Sequence, residues 1–278
     1  LNSALAATLA RLDDPACIHP AASFTEALAR LHFAVEHRHG LALLLGECGI
    51  GKTTLLRRFR RELAVSPACI VQLSVRGLAP ADVFAAVCEQ LGLALGSSWL
   101  NLAQRCTELG LDQTQLVLLV DDAQHASMEV FEPLRRLWEI DATGQLRATL
   151  VVATDELAVA RWPAAWLHRV DLRVELQRWL RDDVERFVDK MLGEDRKRQV
   201  AFEPSGIDRM LELSSGVPRT VRRLTQLALL AAQGQRKTAI DDATITAVSH
   251  ELCWGHAALL DSGVAVEFVE QPSGVEFH

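Results

Sequence analysis

An apolar run, Leu41 to Leu45, opens directly onto Gly46-Glu47-Cys48-Gly49-Ile50-Gly51-Lys52-Thr53 and then onto a helical pattern, Thr54 to Leu63. The stretch satisfies G-x-x-x-x-G-K-[ST] at every fixed position. Strand, glycine loop and helix in that order constrain the chain more than any other feature. The glycines allow the backbone to curl into a nest of N–H groups, and the helix adds its partial positive end at the same point. A phosphate chain is the ligand such a nest suits. Lys52 is expected to reach the β- and γ-phosphates of ATP and Thr53 to offer its hydroxyl to Mg²⁺. The backbone from Gly46 through Glu47, Cys48, Gly49, Ile50 and Gly51 to Thr54 would hold the rest.

The fold class follows from what surrounds this loop. Leu41 to Leu45, Cys69 to Ser74, Leu116 to Val120 and Ala148 to Ala153 are short, nearly continuous apolar runs of the kind that form strands buried on both faces. Helical patterns at Leu55 to Leu63, Ala81 to Leu91, Trp99 to Leu109 and Met128 to Ile140 separate them, and Asp171 to Leu176 reads as a fifth strand. This alternation predicts an α/β domain with a parallel sheet flanked by helices. Beyond it, Asp182 to Leu192, Ser205 to Leu213, Arg219 to Ala232 and Asp241 to Leu252 read as four helices with no strand between them, a smaller all-helical domain. The expected division is a lead-in arm at 1–22, the α/β domain at 23–176, the helical domain at 177–252 and a tail or linker at 253–278.

Composition narrows the setting. With 278 residues and 49% apolar content the chain can support a packed core. No apolar run reaches the roughly 18–20 residues needed to span a bilayer, and Leu1 to Ala10 lacks the basic flank of a signal peptide, so a cytoplasmic protein with no membrane span is expected. Cys17, Cys48, Cys69, Cys88, Cys106 and Cys253 contain no C-x-x-C pair and read as free thiols. His37 and His39 have H-x-H spacing but no third ligand in sequence, so no metal site is expected there. The net charge of −7 opposes non-specific attraction to nucleic acid unless basic residues gather on one face. Arg57, Arg58, Arg60 and Arg61 are spread around their helix by its 3.6-residue period and read as a solvated surface, with phosphate contact as the alternative.

Hydrolysis of a triphosphate needs a metal ligand and a group acting on water. Asp121 and Asp122 follow the apolar run Leu116 to Val120, and ligands of doubly wound sheets bind beyond the carboxyl ends of the strands. Asp121 would support Mg²⁺, and Asp122 would act as the base or water positioner.

Taken together, Phe24 to Leu31, Gly46 to Thr54, Leu118-Leu-Val-Asp-Asp-Ala-Gln-His125 and Gly216-Val-Pro-Arg219 resemble the AAA+ ATPases. More narrowly they resemble the ATPases of the general secretion pathway and of transposition. The resemblance covers about residues 20 to 250 and implies a helical lid after the α/β domain. It also implies that Thr154 is the polar sensor near the γ-phosphate and that Arg219 reaches back from the lid to the phosphates. One of Arg169, Arg161 and Arg173, with Arg169 first, would complete a neighbour's site in a homo-oligomeric ring or filament. Relatives most often carry Asp-Glu where this chain has Asp121-Asp122, a carboxylate one methylene shorter, which bears on hydrolysis rate and not on binding. Three tasks stay open: driving a secretion or envelope assembly through a protein partner, acting as a DNA-binding ATP switch that regulates a transposase, or serving as a hydrolysis-poor nucleotide scaffold.

Overall fold

The computed structural model describes residues 21–94, 96–138, 148–197 and 200–251. Most of the lead-in arm, the tail at 253–278, the end of the helix expected to reach Ile140, and Cys17 and Cys253 lie outside the described residues.

All five expected strands form. They are β1 (Leu41–Leu45), β2 (Ala68–Ser74), β3 (Gln115–Asp121), β4 (Thr149–Thr154) and β5 (Val170–Glu175). They make one parallel sheet in the order β2-β3-β4-β1-β5. The runs of Leu and Val are continuous because both faces of the inner strands are covered. Leu41, Leu43, Leu118, Val120, Leu150 and Val152 pack on one face, and Ala42, Leu44, Val117, Leu119, Val151 and Ala153 on the other. At the β2 edge the side-chain amide of Gln90 satisfies the backbone of Gln72 in both directions, each bond 3.0 Å, which blunts an edge otherwise open to strand addition.

Helices α1 (Ala22–Glu36) and α2 (Lys52–Leu63) cover one face through Leu31, Leu55 and Phe59. On the other lie α3 (Pro80–Gln90), α4 (Trp99–Leu111) and α5 (Phe131–Trp138), anchored by Val83, Leu102 and Leu134. Ser98 caps α4 reciprocally with Asn101: its N–H donates to Asn101 Oδ1 at 2.9 Å and its Oγ accepts from Asn101 N–H at 3.3 Å. The helix expected from Met128 begins instead with a 3₁₀ turn, Met128–Val130, and becomes α-helical at Phe131. Pro133 then falls in the first turn, where its missing N–H costs nothing. Two short helices, α6 (Glu156–Val159) and α7 (Ala164–Leu167), lead into β5.

The remaining helices have their own core, built from Val184, Phe187, Met210, Val221, Leu224 and Ile245 among others. They are α8 (Arg181–Lys197, broken at Gly193), α9 (Pro204–Ser214), α10 (Pro218–Gly234) and α11 (Asp242–Glu251). One detail differs from the strand-free expectation: β6 (Ala201–Phe202) and β7 (Ala239–Ile240) pair in parallel between helices. Two-residue strands are too short to leave a periodicity in sequence.

Candidate functional site

The carboxyl end of β1, the strand between β4 and β5, turns into the glycine loop. Gly49 and Gly51 have φ of +88° and +115°, torsions that favour glycine, and Gly51 caps α2. Lys52, the first residue of α2 and only 7% exposed, folds back over the loop. Its Nζ donates to the carbonyls of Gly46 at 2.6 Å and Glu47 at 3.1 Å. Burial pushes the Lys52 pKa below the usual 10.5, opposed first by Asp155 and then by Cys48, Asp121 and Asp122. The ammonium is therefore held in a site that a polyanion would compensate better than the present carbonyls do.

Asp121 ends β3 and is nearly buried, its Oδ1 accepting the backbone N–H of Asp122 at 2.9 Å. Asp122 is left-handed, with φ of +60°, and its carboxylate is gripped from two sides. Ser74 Oγ donates to Oδ2 at 2.9 Å, and Gln124 Nε2 donates to Oδ1 at 3.4 Å. Ser74 ends β2 opposite Asp121 in the parallel register. Neither Ser74 nor Gln124 was singled out from sequence. Ser74 in particular becomes visible only once β2 is known to lie beside β3.

Thr154 was expected just beyond its strand; it is the last residue of β4, paired with Leu45 immediately before the loop. It is fully buried, and its hydroxyl has no hydrogen-bond partner.

The helical domain meets the loop directly. Arg219, second residue of α10, donates its backbone N–H to Gly49 O at 3.2 Å, and its Nη1 lies 3.4 Å from Cys48 Sγ. A second tie joins the linker after β5 to the loop, where Arg178 makes a bidentate pair with Glu47 at 2.6 and 2.7 Å. Arg178 was also missed in sequence, since its partner lies far upstream. Trp179 N–H donates to Gly216 O at 2.8 Å, and a Cβ on Gly216, where φ is +73°, would sit 2.3 Å from Trp179 O. Only glycine permits that approach, which sets α10 on the loop.

These parts enclose a cavity of about 640 Å³. Its lining includes the polar Lys52, Thr53, Asp121, Asp122 and Arg219 and the apolar Phe24, Ile50, Leu176, Trp179, Phe187 and Met191. Such a site can take a ligand with an anionic tail and a flat apolar head. Among the described residues no cluster of three or more His, Cys, Asp or Glu could by itself hold a metal ion. The oxygens of Thr53 and Asp121 suit Mg²⁺, which needs only one or two protein ligands when phosphates and water supply the others. His37 and His39 have ring centroids 6.5 Å apart, with Phe33 stacked on His37 at 3.9 Å.

Arg169, Arg161 and Arg173 stand elsewhere. Arg169 precedes Val170, which pairs with Leu41 at the end of β1 remote from the loop, and its guanidinium lies 5.5 Å from the Trp138 ring centroid. It does not line the cavity; nor does Arg161 or Arg173, the latter paired with Leu43 inside β5. The arginines of α2 are less dispersed than expected, since Arg57, Arg60 and Arg61 stand at i, i+3 and i+4 and so share one face. Arg58 pairs with Glu62, while Arg57, Arg60 and Arg61 line one groove that also reaches Ser74 and Asp122.

Comparison with known proteins agrees with this fold. Residues 35–158 match the model of the AAA domain family. Over 235 residues the chain is 29% identical to General secretion pathway protein A of Aeromonas hydrophila, covering 80% of this chain and 43% of that protein. The chain thus spans less than half of that relative's length. Among solved structures, the Thermotoga maritima RuvB Holliday junction branch migration motor superposes with a TM-score of 0.56 at 19% identity, over 82% of this chain and 69% of that one. Cdc6p from Pyrobaculum aerophilum gives 0.59 at 18% identity, over 78% and 63%. At such identities the structural likeness speaks for the fold alone.

Proposed function

From a chain that carries an AAA domain on the P-loop NTPase fold and resembles General secretion pathway protein A, we propose an ATPase that binds ATP with Mg²⁺ and hydrolyses it to drive conformational change or assembly. One observation carries this reading: Lys52, Thr53, Asp121, Asp122 and Arg219 line a single cavity, although they come from three distant parts of the sequence. Lys52 would exchange its loop carbonyls for β- and γ-phosphate oxygens. Thr53 and Asp121 would hold Mg²⁺, which supplies charge neutralisation on the phosphates. Asp122 would take a proton from the attacking water, and Thr154, whose buried hydroxyl lacks a partner, would turn toward the γ-phosphate or that water. Arg219 would report the nucleotide to the lid through its contact with Gly49.

Arg169 lies too far from its own loop to serve it, which supports action on a neighbouring copy in a ring or filament. Mixing Arg169→Ala with Asp122→Asn tests this, because one interface in the mixture pairs intact Asp122 with intact Arg169. Activity above that of either variant alone is expected; a mixture no more active than its parts would contradict it.

Similarity to General secretion pathway protein A supports a task in a secretion-type assembly with a protein partner. A second reading, a DNA-responsive ATP switch, is supported by Arg57, Arg60 and Arg61 lining one groove beside Asp122. Turnover with and without double-stranded DNA over a salt series separates the two: a salt-sensitive change favours the switch, and none favours the protein partner.

A further inference from the structure

Two buried side-chain atoms among the described residues have no hydrogen-bond partner, the hydroxyl of Thr154 and Oε1 of Gln124. Thr154 already has a place in the proposed chemistry; Gln124 has none. A buried amide oxygen without a donor is costly, and folded proteins satisfy such groups with protein or water. Gln124 sits in the 3₁₀ turn Ala123–His125 directly after Asp122, its side chain lines the cavity, and its Nε2 donates to Asp122 Oδ1 at 3.4 Å. Chemistry fixes that amide's orientation. Flipped, it would set Oε1 against a carboxylate oxygen, two acceptors facing each other. The nitrogen is therefore spent on Asp122, and the oxygen is left buried and without a donor beside the same carboxylate.

We propose that Gln124 is the second acceptor for the attacking water, resting on the reading above in which Asp122 is the first. Water presents two O–H bonds. Held by one acceptor it turns freely about that bond, whereas two acceptors aim its lone pair. In the step, the water oxygen bonds to the γ-phosphorus as the bond from phosphorus to the β–γ bridging oxygen breaks, its electron pair leaving on ADP. One water proton passes to Asp122. The other stays on the attacking oxygen, hydrogen-bonded to Gln124 Oε1, and departs with inorganic phosphate. The second anchor also suits Asp122, whose carboxylate is a methylene shorter than glutamate and needs help fixing a water at the right distance.

Gln124→Met keeps the length of the side chain and removes both amide groups. With the full chain, kcat should fall about 10–100-fold, the scale of losing a water-orienting contact, while ADP affinity stays within about twofold. ADP with aluminium fluoride mimics the transferring phosphoryl group and traps the attacking water. Wild type should bind ADP more tightly with fluoride than without, and Gln124→Met should lose about tenfold or more of that gain. If Gln124→Met does not fold, Gln124→Ala carries the same expectations. Wild-type kcat in the variant, or a loss of ADP affinity matching the loss of kcat, overturns the proposal. Where wild type turns over, Asp122→Asn abolishes it and Gln124→Met is silent, this inference alone fails. A wild type with neither turnover nor a fluoride gain removes the ATPase reading and the inference together.

Discussion

Ser74, the last residue of β2, donates a 2.9 Å hydrogen bond from its hydroxyl to Oδ2 of Asp122, just past the end of β3. Two neighbouring strands thus hold the carboxylate assigned to the attacking water, and the parallel register that sets Ser74 opposite Asp121 fixes the bond. Removing the hydroxyl should let the carboxylate swing. Ser74→Ala is expected to lower turnover about tenfold, equivalent to about 1.4 kcal/mol, with nucleotide affinity unchanged and Ser74→Thr restoring much of the loss. Steady-state kinetics beside a binding titration read both; equal turnover in Ser74→Ala would make the bond incidental.

Lys52 gives a pH dependence with a defined sign. Its pKa lies below the usual 10.5 because it is buried, so the folded protein is penalised while the ammonium is charged. That cost is fully present below the folded pKa and lifts as pH rises through it. ATP favours the charged form. Affinity should therefore decline with rising pH from below the ordinary lysine range, and binding at alkaline pH should take up a proton. Calorimetry in buffers of different ionisation heat measures that uptake. An affinity flat up to the ordinary lysine range, with no buffer-dependent heat, would contradict the assignment.

Gly216 tests how the lid is set on the loop. A Cβ there would meet Trp179 O at 2.3 Å with φ at +73°. Gly216→Ala should cost roughly 2 kcal/mol for the strained backbone, or roughly 4–8 °C in melting temperature at this chain size. By displacing Arg219 it should also weaken nucleotide binding. A variant that melts and binds as wild type would show that the contact is not needed.

Much of this site was legible in the sequence because its signals are local. The loop from Gly46 to Thr53, the acids after an apolar strand, and Pro218-Arg219 at a helix start each declare themselves within a few residues. The sheet could be read for the same reason, as continuous Leu and Val runs need no partner to be recognised. What stayed hidden depends on strand order and on contacts between remote segments. Ser74 acquires meaning only beside β3, Arg178 only beside Glu47, and Gln124 only when its oxygen is found buried and alone. The α2 arginines are a different case, a local signal misread: Arg57, Arg60 and Arg61 stand at i, i+3 and i+4, which the helical period sets on one face, and they line one groove beside β2.

The central claim, that one cavity binds ATP through Lys52 and hydrolyses it through Asp122, separates binding from chemistry in a way two variants can expose. Wild type, Lys52→Ala and Asp122→Asn should be compared for affinity toward a fluorescent ATP analogue with Mg²⁺ and for phosphate release in the same buffer. Lys52→Ala should lose both binding and turnover, because the triphosphate charge is left uncompensated in the loop. Asp122→Asn should bind like wild type and release phosphate at least about 100-fold more slowly, since the carboxylate acts on water and hardly on the bound ground state. Equal affinity and equal turnover in all three proteins would contradict the account.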